Sequence, residues 1–160
     1  MSDGALDTAP YRGLASFEAG DAHLFFGREE VAERLAALIA DDADFHDLPL
    51  VLVGSSGAGK SSVLRAGLFP RLTGPAVVFE PTAEPLTALK TAQQHLSDTW
   101  PLSPKRPALI VDQFETLFTA CQDEALRHAF VSELCELTES RAAHVVIALR
   151  AGTRSARTTR

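Results

Sequence analysis

The chain has 160 residues, 46% of them apolar and 22% charged, with a formal net charge of −6. That length and balance suit one folded domain with a real core and exclude a chain disordered throughout. No apolar run approaches the roughly 18 residues that span a bilayer, and the start MSDGALDTAPYRG lacks the basic-then-apolar pattern of a secretory signal. No membrane association and a cytoplasmic location are therefore expected.

Cys121 and Cys135 form no CxxC pair, and the five histidines are scattered without zinc-ligand spacing. Both cysteines read as small core residues. From Arg141 onward there are five arginines and no acids, so the acids are concentrated in the first 140 residues. An acidic body makes non-specific nucleic-acid binding improbable, and no specific nucleic-acid partner is expected. The arginine-rich end has no interleaved aromatics and reads as a solvated tail.

In chain order, residues 1–24 read as an irregular lead-in. Arg28–Ala40 places Val31, Leu35, Leu38 and Ile39 on one helical face, with acids in the first turn. DDADFHD (41–47) is a polar loop, and LPLVLV (48–53) has the look of a buried parallel strand. A helix is expected from Ser61 to about Gly67, a natural left-handed cap. AVVF (76–79) is a second strand, and Leu86, Leu89 and Leu96 mark a helix entered near Pro85. After the proline-rich TWPLSPKRP (99–107), ALIVD (108–112) is a third strand ending in an acid. Leu126, Phe130, Leu134 and Leu137 mark a further helix, and HVVIAL (144–149) is a fourth strand. Apolar strands alternating with helices imply an α/β fold of three layers around a parallel sheet.

The segment GSSGAGKS, Gly54 to Ser61, fits G-x-x-x-x-G-K-[ST] between a strand and a helix. Gly54, Gly57 and Gly59 let the backbone wrap tightly, so that the amides of Ser55, Ser56, Gly57, Ala58 and their neighbours converge on a phosphate. The following helix aims its unpaired N–H groups at the same oxygens. Lys60 supplies a point charge to the β- and γ-phosphates, Ser61 a hydroxyl to Mg²⁺, and Ser62 reaches the α-phosphate. Such a loop takes a nucleoside triphosphate, with ATP and Mg²⁺ as the expected ligands.

A loop of this kind needs an acid at the tip of a neighbouring strand to hold the hydrated metal. Asp112, closing ALIVD, has that position, although Asp is also a good helix N-cap. Many ATP hydrolases carry Glu directly after this Asp, where this chain has Gln113. A neutral amide can orient water but cannot take its proton. Glu115 is the nearest carboxylate and a candidate base, the alternative being an ordinary helix acid. Slow hydrolysis is expected. Arg150, at the end of the fourth strand, is either a sensor of the γ-phosphate or a snorkelling surface arginine.

YRGLASFEAGDAHLFFGREEV (11–31), GSSGAGKSSVLRAGLFPRL (54–72), LIVDQFETLF (109–118) and VVIALRA (145–151) together resemble the novel STAND NTPase domain of bacterial signal-transduction ATPases. The resemblance spans residues 10–151. It implies an AAA+-like P-loop switch, often joined to C-terminal β-propeller repeats or other sensors. It also implies that Gly27 and Arg28 lie near the nucleotide base with Phe25 and Phe26 behind them, although Val31 replaces the last acid of that motif. Walker A then runs from Gly54 to Ser61, Walker B is Asp112 and the sensor arginine is Arg150. The family continues after Arg-Ala with Asp-Phe-Tyr, where this chain reads GTRSARTTR. A P-loop NTPase domain over 25–151, incomplete, with a basic disordered tail at 152–160, is the expected organisation. The implied strand order is 5-1-4-3-2; with the fifth strand missing, 1-4-3-2 remains, and self-association through the bared strand or marginal stability is expected. A small-molecule kinase, or a remnant that binds nucleotide without signalling, are the alternatives.

Overall fold

The apolar runs form the sheet. A computed structural model describes residues 28–40, 47–55 and 57–151, and places parallel strands β1 (Leu50–Gly54), β2 (Ala76–Phe79), β3 (Ala108–Val111) and β4 (His144–Arg150) in the order β1-β4-β3-β2. That is the order the resemblance implies once its fifth strand is left out. The register pairs Leu50 with Val146, Ala76 with Ala108, and Ala108 with His144. β1 starts two residues later than expected: Pro49 has no N–H for a ladder and Leu48 is 67% exposed.

The two-residue period of the strands divides the core into two layers. Leu109, Val111 and Val145 face one side, packed with Leu89, Phe130 and Leu134. Ile110, Val146 and Ala148 face the other, against Ala32, Leu35, Leu64 and Leu68. The first side is covered by α3 (Pro85–Thr99), α4 (Thr116–Ala120) and α5 (Glu124–Glu139), the second by α1 (Glu29–Ala40) and the helix after the loop. Leu50 and Leu52 join the second layer, while Val51 and Val53 on the opposite face of β1 are 53% and 57% exposed.

Local signals set the helix ends. Pro85 opens α3, where its missing N–H costs nothing. Asp123 caps α5, its Oδ1 accepting from the amides of Ala125 at 2.8 Å and Leu126 at 3.2 Å. The helix after the loop departs from expectation. It starts as α2 (Lys60–Ser62), widens into a π-helical stretch (Val63–Leu68), and closes with a 3-10 turn (Phe69–Arg71). Gly67 is therefore no left-handed cap but a buried residue inside the helix, because Leu64, Ala66 and Leu68 keep burying apolar surface on either side of it. The wide turn precedes Pro70, which has no N–H to donate and crowds the carbonyl of Ala66. Cys121 lies in the core as expected and Cys135 is half-buried. No helix among the described residues is long and apolar enough to cross a membrane.

Candidate functional site

Strand β1 ends at Gly54, and the chain curls back before entering α2 at Lys60. Two glycines make the curl possible: Gly57 and Gly59 have φ of 75° and 79°, the left-handed region that disfavours any Cβ. Gly54 is needed for space instead, since a Cβ there would lie 3.2 Å from Ala58 Cβ. The Ala58 amide donates to Ser55 O at 3.1 Å, closing the turn. Lys60 folds over the loop, its Nζ donating to Gly54 O at 2.8 Å and Ser55 O at 2.9 Å. Its ammonium thus sits within the ring of backbone that the glycines create.

Three strand tips gather at this loop and the helix that follows it. Asp112 follows β3 and is 1% exposed. Its Oδ1 accepts from Ser61 Oγ at 2.9 Å and from the Gln113 amide at 2.9 Å. Its Oδ2 accepts from Arg65 Nε at 3.2 Å. Glu80 follows β2 in the same way, and its Oε1 lies 3.3 Å from Arg65 Nη2 and 2.8 Å from Gln113 Nε2. Arg65 therefore ties the two carboxylates together. β4 contributes Arg150, which pairs with Gly54 in the β1–β4 register. The next amide, of Ala151, donates to Gly54 O at 2.8 Å.

Gln113 is exposed and holds a φ of 49°, unusual for a residue with a side chain. Its backbone is pinned on both sides: the N–H by Asp112, the carbonyl by the Thr116 amide at 2.8 Å. Glu115 is half-buried and accepts the Arg150 amide on Oε2 at 3.3 Å. Its contact is thus with the end of β4 rather than with Asp112. Arg28 is exposed, its carbonyl accepting from the Ala32 amide at 3.2 Å at the head of α1. The last turns of α1 share a cavity of about 420 Å³ with Ala108 and His144, at the N-terminal ends of β3 and β4. α1 thus runs away from the loop, and Arg28 stands toward the loop's end of the sheet. Gly27, Phe25, Phe26, Ser56, the lead-in and the tail lie outside the described residues.

The oxygen set suits magnesium. A hydroxyl and a carboxylate meet at Ser61 and Asp112, hard donors of the kind Mg²⁺ takes. Among the described residues no three His, Cys, Asp or Glu side chains cluster as a metal cage. Mg²⁺ needs none, since it keeps waters and shares substrate phosphates. Arg65 and Glu80 carry parts of the site that sequence reasoning missed. Both had a signal: Arg65 is four residues after Ser61 on one helix face, and Glu80 follows its strand as Asp112 follows β3.

A glycine-wrapped loop around a lysine, with a serine hydroxyl on a strand-tip aspartate beside a parallel sheet, defines a nucleotide-binding P-loop NTPase. The sequence matches the family model of novel STAND NTPase 1 over residues 10–157, and the chain belongs to that family. The match runs past Ala151, where the resemblance had been expected to end. In fold the chain is similar to a Walker-type ATPase of Pyrococcus abyssi, with a TM-score of 0.51 at 16% identity. The likeness covers 86% of this chain and 48% of that one, so the chain spans about half the length of the solved structure it matches. A search of curated proteins finds no match.

Proposed function

We propose that this chain is the ATP-binding, slowly hydrolysing switch module of a STAND-type signalling protein. The observation that carries the reading is the 2.9 Å contact of Ser61 Oγ with Asp112 Oδ1, which joins the phosphate loop to the strand-tip acid. The loop amides from Gly54 to Gly59 cradle the β-phosphate, and Lys60 exchanges its two carbonyl partners for β- and γ-phosphate oxygens. Ser62, half-buried one residue after Ser61, serves the α-phosphate. Ser61 and Asp112, already in contact, would hold the metal. Magnesium held there would offset the negative charge of the phosphates.

Arg150 acts as the γ-phosphate sensor, a role supported by its register partnership with Gly54. Gly27 and Arg28 flank the base, in keeping with the position of Arg28 toward the loop's end of the sheet. Gln113 orients the attacking water, and Glu115 is a candidate base. With no carboxylate directly after Asp112, turnover falls well below the ~10 s⁻¹ enzyme median. C-terminal sensor or β-propeller domains of a full-length relative would read the nucleotide state, in a cytoplasmic setting. Competition between Mg-ATP and Mg-GTP, followed by turnover of each, tests the reading. ATP wins and is cleaved slowly; equal binding of both, or phosphate transfer to a small metabolite, contradicts it.

A further inference from the structure

The carboxylate expected after Asp112 is not absent from the site; it stands on the neighbouring strand. Gln113 occupies the position, and Glu80, at the tip of β2, meets its Nε2 at 2.8 Å. The pairing has a direction that chemistry fixes. A carboxylate can only accept, so it selects the NH₂ end of the amide and turns the carbonyl oxygen away. Unheld, an amide presents either end, and a donor aimed at water would present the wrong dipole. Held by Glu80, Gln113 always offers an acceptor.

Glu80 is itself anchored. Arg65 Nη2 lies 3.3 Å from the same Oε1, and Arg65 Nε is fixed on buried Asp112. The backbone of Gln113 is held at φ 49°, a conformation that costs about 1–2 kcal/mol in a residue with a Cβ. Strain of this sort persists where the surroundings over-determine it and clusters at working sites. The amides of Gln113 and Thr116 supply that over-determination. Both ends of the Gln113 side chain are thus set, one by a strained backbone and one by Glu80.

We propose that Glu80 is a positioning residue for ATP hydrolysis, orienting Gln113 so that its carbonyl oxygen accepts a hydrogen bond from the attacking water; this rests on the ATPase reading above. In the reaction the water oxygen bonds to the γ-phosphorus. The bond from that phosphorus to the β–γ bridging oxygen breaks, its electron pair leaving with ADP, and the water's proton passes, by way of the candidate base Glu115, to a γ-phosphoryl oxygen. Gln113 takes no proton. It aligns the water, and Glu80 aligns Gln113.

The test is single-turnover cleavage of Mg-ATP with protein in excess, alongside the Kd for Mg-ATP. Misalignment of a reacting group by about 1 Å can cost roughly 10²-fold, so Glu80→Ala lowers the cleavage rate by about that factor while Kd stays within about twofold. Gln113→Glu alone sets two carboxylates against each other and is slow. The exchanged pair, Glu80→Gln with Gln113→Glu, restores the bond in the opposite sense, amide donating to carboxylate, and recovers the wild-type rate or better. Wild-type cleavage by Glu80→Ala, a loss of rate matched by a loss of affinity, or an exchanged pair no faster than Gln113→Glu alone overturns the inference. Wild-type protein that binds Mg-ATP but never cleaves it overturns the inference and leaves the binding reading standing. Failure to bind overturns both.

Discussion

Arg65→Met removes the cation from a buried carboxylate while keeping most of the aliphatic stem. Asp112 is 1% exposed and would retain only Ser61 Oγ and the Gln113 amide. Truncating one partner of a fully buried ion pair costs about 3–5 kcal/mol. The Arg65 side chain is 23% exposed and the two remaining donors still serve Asp112, so the expected loss is about 2 kcal/mol. For a chain of this size that lowers Tm by roughly 4–8 °C. Circular dichroism melts read it directly. Adding Asp112→Asn removes the uncompensated charge, so the double variant should melt closer to wild type than the summed single effects. Mg-ATP should raise the Tm of Arg65→Met more than that of wild type, because bound cation replaces the missing charge beside Asp112. Arg65→Met melting with wild type, or strict additivity with Asp112→Asn, would refute the ion pair's role.

Gly59→Ala meets no atom within 4 Å of its new Cβ, so its whole effect comes from φ of 79°. It should cost about 1–2 kcal/mol, read from the denaturant midpoint, and weaken ATP binding; a variant that unfolds and binds as wild type does would show the loop tolerates another path. β1 is the outermost strand on its side of the sheet among the described residues, with Val51 53% exposed. The 160-residue chain is therefore expected to self-associate along this strand, and Val51→Lys to shift it toward monomer without lowering Tm. Light scattering that finds one unchanged mass for both proteins would remove β1 as the contact.

Much of the fold was legible because strands such as AVVF and ALIV are short, wholly apolar and bounded by breakers, which leaves few alternatives. The loop was legible because its glycines mark backbone that side chains cannot follow, as the φ of Gly57 and Gly59 bears out. Gly67 misled for the complementary reason. Glycine signals a helix end only where nothing beyond it is buried, and Leu68 is fully buried. The link among Arg65, Glu80, Asp112 and Gln113 depends on two strand ends meeting the middle of a helix across 15 to 47 residues of chain. No local pattern encodes that meeting. It follows only from the strand order, which sets β2 beside β3 and brings their terminal acids under one arginine.

Nucleotide binding is the claim on which the rest depends, and titration calorimetry of Mg-ATP into wild type and Lys60→Ala tests it most directly. Lys60 sits over the loop with its ammonium 2.8 Å from Gly54 O. A charge-assisted phosphate contact from it contributes ~1.5–3 kcal/mol. Wild type should bind with a clear heat of association, and Lys60→Ala about tenfold to a hundredfold more weakly. Equal binding by the two proteins, or no binding by wild type, would contradict the account.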